Sequence, residues 1–136
     1  MPEKPAILYV EDDRLSRRLM EMLMKGRMQL PHVTILEDSE DFMLHVAALD
    51  PKPDIVLLDI HVKPYDGFEM LSMLRTLDWA KQTPVVALTA SVMNEEIQQL
   101  TAAGFNGCIG KPIDIKSMPD TLERIQSGEP VWHITY

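Results

Sequence analysis

The chain has 136 residues, with 13 Lys+Arg against 21 Asp+Glu, a formal net charge of -8. That length suits one domain, the acidic balance argues against a nucleic-acid-binding face, and an apolar fraction of 46% argues against wholesale disorder. The lone cysteine, Cys108, excludes an intrachain disulfide and points to a reducing compartment.

No run approaches the ~20 apolar residues of a membrane span. The short polar start, Met1 to Pro5, lacks the apolar stretch and cleavage site of a signal peptide. A cytoplasmic protein is expected, with one domain over 1–128 and a tail over 129–136. Met1 and that tail fit a natural single-domain product, with a domain excised from a longer protein as the alternative.

Apolar runs alternate with amphipathic stretches. Ile7-Leu8-Tyr9-Val10 is a first strand, followed by a helix with Leu15, Leu19, Met22 and Leu23 at helical spacing. His32 to Leu36 is a second strand. Phe42, Val46 and Leu49 predict a helix opened by Ser39 and its acidic neighbours. Ile55 to Leu58 is a third strand, apolar on both faces, and Phe68, Leu71 and Leu74 mark the next helix. A fourth strand runs from Val85 to Leu88. The helix carrying Ile97 and Leu100 stops at Gly104, a C′ glycine. Gly107 to Gly110 is a short fifth strand. A last helix starts with Ser117 as N-cap and Pro119 in its first turn, and ends near Gly128.

The pattern is (βα)₅. Strands without polar alternation imply a parallel sheet covered on both faces, and such α/β folds bind ligands at the carboxyl ends of their strands. Glu11-Asp12-Asp13 ends the first strand, Asp59 the third and Thr89 the fourth, while the fifth runs into Lys111-Pro112. Taken singly, each is ordinary: Asp12 and Asp13 as helix caps, Asp59 as a turn residue, Thr89 as a strand-end hydroxyl, Lys111 as a surface lysine. Together they converge on one edge. Carboxylates about 4 Å apart repel by roughly 4 kcal/mol at an effective dielectric near 20, so they share a proton, spread apart or recruit a cation. Hard oxygen ligands suit Mg²⁺. A cation, an ammonium and a hydroxyl around Asp59 would stabilise phosphoryl transfer onto it.

These residues resemble the receiver domain of two-component response regulators. The match lies in Ile7 to Asp13, Asp54 to Asp59, Asp66-Gly67, Val86 to Ala90 and Gly110-Lys111-Pro112, and covers residues 5 to 127. The resemblance implies a flavodoxin-like, doubly wound α/β fold with a five-stranded parallel sheet in the order 2-1-3-4-5. It also implies Asp59 as phospho-acceptor, Thr89 and Lys111 as its catalytic partners, and Mg²⁺ as the cofactor. The metal ligands would be Glu11, Asp12, Asp59 and the backbone carbonyl of His61, with Asp12 the closer ligand and Glu11 acting partly through water. Asp13 falls just outside the pair, and the Lys111–Pro112 bond is expected to be cis.

Partners implied are a histidine kinase or phosphotransfer protein, a downstream protein reached through the face of the fourth helix, fifth strand and last helix, and a possible second copy of the chain. Neither nucleic acid nor membrane is expected, nor enzymatic turnover beyond self-catalysed phosphoryl acceptance and loss. Cys108 stands where the family usually has an aromatic residue, and reads as a small buried strand residue. His61 is bulky and titratable beside the acceptor, and is expected to govern the access of attacking water.

Competing readings are a phosphorylation-independent scaffold, an aspartyl-phosphate phosphatase and a flavodoxin-like cofactor binder. The phosphatase would want a second aspartate where His61 stands. The cofactor binder would want a phosphate-cradling loop where Glu11-Asp12-Asp13 stands. The methionines, Met20 to Met93, read as core filler and adaptable surface. His45 reads as no phospho-donor. Trp132 and Tyr136 either pack back on the domain or mark a contact.

Overall fold

A computed structural model describes residues 4–134, with the backbone alone for His133 and Ile134. The elements run β1 (Ile7–Val10), α1 (Arg14–Glu21), β2 (Val33–Leu36), α2 (Phe42–Ala47), β3 (Ile55–Asp59), α3 (Gly67–Arg75), β4 (Val85–Thr89), α4 (Asn94–Ala103), β5 (Gly107–Gly110), α5 (Met118–Gln126) and β6 (Val131–Ile134). A π-helical segment, Met22–Arg27, continues α1.

Every strand pairs parallel to its neighbours, in the order β2-β1-β3-β4-β5-β6. The expected order 2-1-3-4-5 is present. The sheet then continues by one strand, because part of the segment read as a tail pairs with the edge of β5. Trp132 therefore packs back on the domain. Tyr136 lies outside the described residues.

Alternate strand residues feed two cores, as a doubly wound sheet requires. Leu8, Val10, Val56, Leu58, Ala87 and Cys108 face α2, α3 and α4. Ile7, Tyr9, Leu57, Val86, Leu88 and Ile109 face α1 and α5. All five residues of β3 and of β4 are buried, which explains the unbroken apolar runs Ile55 to Leu58 and Val85 to Leu88 that lead to Asp59 and Thr89.

Two local readings are corrected. On the first helix, Leu15, Leu19 and Met22 are exposed, and the inward stripe is Met20, Leu23 and Met24. The π-helical turn after Glu21, with Met28 N–H donating to the Leu23 carbonyl, shifts the helical phase toward its end. Ser39 does not cap α2, whose N-cap is Asp41 at φ 52. Ser39 is instead buried, its hydroxyl donating to the Tyr65 carbonyl at 2.6 Å and accepting from the Tyr65 N–H at 2.7 Å. It pins the loop that follows Asp59.

The expected caps elsewhere are present. Asp13 opens α1 by accepting from Ser16 N–H, and Gly104 ends α4 at φ 103. Ser117 is the N-cap of α5, its hydroxyl donating to Asp114 rather than to the helix. Among the described residues, no buried side-chain polar atom lacks a partner, and no helix is long and apolar enough to cross a membrane.

At the sheet's amino end, the Arg75 guanidinium donates to the carbonyls of Ala80 and Thr83 at 2.7 and 2.8 Å and to Asn106 Oδ1 at 2.9 Å. Asn106 Oδ1 also accepts from Val85 N–H at 2.9 Å.

Candidate functional site

Parallel pairing puts the carboxyl ends of β1, β3, β4 and β5 side by side. Asp59 is in register with Leu88, and Thr89 with Gly110. Glu11, Asp12 and Asp59 each bring a carboxylate oxygen within 4.8 Å of the others. Lys111 Nζ lies 2.7 Å from Glu11 Oε2 and 3.1 Å from Asp59 Oδ2. Glu11 and Asp59 are buried, whereas Asp12 is exposed at the mouth.

Burial sets the electrostatics. Desolvation first, then the neighbouring Asp59, pushes the Glu11 carboxyl up to about 7 despite Lys111. Burial also works to raise Asp59. Hydrogen bonding with Glu11, the His61 N–H on Oδ1 at 3.0 Å and the Lys111 charge more than offset it and hold Asp59 down near 2. Asp12 is raised, by desolvation and then by Asp59. Lys111 is raised: burial opposes its charge, but Glu11 and Asp59 prevail. Three carboxylates and one ammonium leave two formal negative charges when all are ionised. A divalent cation neutralises that excess, and its preference for hard oxygen donors matches the set. The residues therefore fit a metal such as Mg²⁺.

Tyr9 is a partner that the sequence reading missed. Buried in β1, it donates its hydroxyl to Glu11 Oε1 at 3.1 Å. Burial and then the Glu11 charge hold that hydroxyl protonated far above its ordinary range. The available signal was parity, since a strand places Tyr9 and Glu11 on one face.

Thr89 is buried at the correct strand end, but its hydroxyl is engaged away from the carboxylates. It donates to the Ser91 carbonyl at 3.3 Å and accepts from Ser91 N–H at 3.1 Å. The Ser91 hydroxyl donates in turn to Glu96 of α4. His61 follows β3 with its side chain exposed. The Lys111–Pro112 bond is cis, as are Asp50–Pro51 and Lys63–Pro64. Cys108 is fully buried, and burial, then Glu96, pushes its thiol up to about 11.

Asp66-Gly67 shapes the loop after Asp59. Asp66 and Glu69 form a reciprocal cap on α3. A Cβ at Gly67 would lie 2.8 Å from Ile60 Cα, so the loop closes only over a glycine.

The model of the response regulator receiver domain matches residues 7–123. The chain belongs to that family. It is 32% identical over 123 residues to hybrid signal transduction histidine kinase G of Dictyostelium discoideum, covering 87% of this chain and 3% of that one. It is 29% identical over 122 residues to the polar-differentiation response regulator DivK of Brucella anthropi, covering 90% of this chain and 94% of DivK. The receiver thus spans a small part of the kinases it matches and nearly all of DivK. Its fold is that of the chemotaxis response regulator CheY4 of Vibrio cholerae, with a TM-score of 0.79 at 22% identity over 90% of this chain and 99% of that one.

Proposed function

We propose that this receiver accepts a phosphoryl group on Asp59 from a histidine kinase or histidine phosphotransfer protein, in the cytoplasm, and signals by protein contact. The observation that carries this reading is the cluster of Glu11, Asp12 and Asp59 oxygens within 4.8 Å, with the Lys111 ammonium on two of the three. Membership of the receiver family supports it.

An Asp59 oxygen attacks the phosphorus of a phosphohistidine, the P–N bond breaks, and the imidazole leaves with the bonding pair and takes up a proton. The low pKa of Asp59 keeps the nucleophile ionised at neutral pH. The His61 N–H on Oδ1 fixes the carboxylate's rotation. Lys111 offsets charge on the transferred group. The carboxylates of Glu11, Asp12 and Asp59, with the His61 carbonyl, would hold Mg²⁺, which supplies charge neutralisation for phosphoryl oxygens. The exposed Leu15 and Leu19 on α1 and Met22 just after it, beside Arg14 and Arg18, offer the donor a docking stripe.

Charge added at Asp59 also supplies a reason to move. Thr89 gains an acceptor and leaves the Ser91 backbone, whose hydroxyl holds Glu96 of α4. The chain acts as a switch, with no turnover beyond loading and losing its own phosphoryl group.

Incubation with Mg²⁺ and acetyl phosphate tests the reading. Intact-mass spectrometry is expected to show one added phosphoryl group on the wild type and none on Asp59→Asn. An unmodified wild type, with no response to beryllofluoride either, would sink it.

A further inference from the structure

β6 reaches β5 through the short link Ser127 to Pro130, where Gly128 takes φ 89. Its pairing is irregular: Gly107 faces Val131, Ile109 faces Ile134, and the register shifts between them. Val131 enters the α1/α5 core at 1% exposure, and Trp132 packs against the opposite core. The strand therefore sits astride the sheet edge, anchored on both sides. Its seat depends on a missing side chain. A Cβ at Gly107 would lie 2.2 Å from the Val131 carbonyl oxygen and 3.0 Å from Val131 Cγ2.

The rest of the sheet does not depend on β6 in the same way. β3 and β4 are buried along their full lengths between regular neighbours, and the receiver family model ends at residue 123, before this strand begins. β6 is bulged, connected through a glycine-containing link and last in the sheet. Those are the features of a segment that opens alone.

We infer that β6 is a detachable strand: the edge of β5 accepts an extended apolar segment, and residues 131–134 fill that groove from within the same chain. A partner adding a strand to this face of the domain must first displace β6. The link keeps the released strand at high effective concentration, so it competes strongly with strands supplied from outside. The inference is independent of chemistry at Asp59.

Amide hydrogen exchange on the wild-type full chain is the first test. Backbone amides of 131–134 are expected to exchange at least tenfold faster than those of β4, through local opening. Equal rates in the two strands would mean that β6 opens only with the whole domain, and would overturn the inference.

The second test adds a fluorescent peptide of the sequence of residues 129–136 to the full chain. The double variant Val131→Asp/Trp132→Ser, with its own strand unseated, is expected to bind the peptide at least tenfold more tightly than the wild type. Adding Gly107→Val is expected to abolish that binding. A double variant that loses its fold by circular dichroism, or that folds and binds no better than the wild type, overturns the inference.

Discussion

Lys111 lies closer to Glu11 than to the proposed phospho-acceptor, 2.7 Å against 3.1 Å for Asp59. The fully buried Glu11 therefore depends on an ammonium that stands 100 residues away in sequence. Removing one partner of a buried pair costs roughly 3–5 kcal/mol when the other charge stays. Glu11 can escape part of that cost by taking a proton, at about 1.4 kcal/mol per pH unit above its ordinary value of 4.5. Lys111→Met is expected to lose about 3 kcal/mol of stability at pH 8 and about 1 kcal/mol at pH 5, by urea denaturation. The same loss at both pH values would show that the ammonium does not compensate Glu11.

Protons and metal compete for Glu11. Its folded pKa of about 7 is raised, so the protonated form prevails below that point and must lose its proton before the carboxylate can serve as a ligand. Mg²⁺ affinity, measured by titration calorimetry, is expected to fall about tenfold per pH unit below 7 and to level off above it. Glu11→Gln is expected to flatten that profile. The sign for stability without metal is the opposite. A raised carboxyl pKa contributes stability in full below 4.5, and that contribution is lost as pH rises toward 7.

Ser39 and Gly67 hold the loop that carries His61 from opposite ends. Ser39→Ala leaves the Tyr65 N–H and carbonyl without their partner and is expected to cost about 1–3 kcal/mol. Gly67→Ala forces a methyl against Ile60 and is expected to cost a similar amount by overpacking. Hydrogen exchange across residues 60–66 reads the effect directly. An unchanged loop in both variants would refute the assigned clamp.

His61 projects its side chain into solvent beside Asp59, while its N–H holds Oδ1. His61→Ala keeps that backbone bond and removes the imidazole beside the acceptor. The phosphorylated variant is expected to lose its phosphoryl group about threefold faster, a barrier change of roughly 0.6 kcal/mol. An unchanged half-life would leave His61 with only its backbone role.

The sheet was legible because its central strands are apolar on both faces, and a strand of that kind reads plainly as a run such as Ile55 to Leu58. The site was legible for a related reason: parallel strands deliver their last residues to one edge, so Glu11, Asp12, Asp59 and Lys111 could be placed together without coordinates. Side-chain engagement was not. Tyr9 resembles core filler until its hydroxyl is seen on Glu11. Ser39 sits where a cap would, and only the tertiary structure aims it at Tyr65. Thr89 is at the expected strand end, yet a local turn through Ser91 captures its hydroxyl. The first helix misled because Leu15 and Leu19 form an apolar stripe on its exposed face, and spacing alone does not say which face turns inward. β6 follows Pro130 directly and carries His133 among its four residues, so it lacks the unbroken apolar run by which β1 and β3 are read.

The Arg75 fork gives the domain a mechanical asymmetry. By gathering the carbonyls of Ala80 and Thr83 together with Asn106, which itself holds Val85, one guanidinium rivets the entrances of β4 and β5 to the end of α3. The opposite ends, bearing Thr89 and Lys111, are tied differently: the Lys111 ammonium rests on Glu11 and on Asp59 itself. The root is fixed by a charge that never meets the site, whereas the tip is tied to Asp59 itself, so new charge at Asp59 bears on the tip and leaves the root clamped.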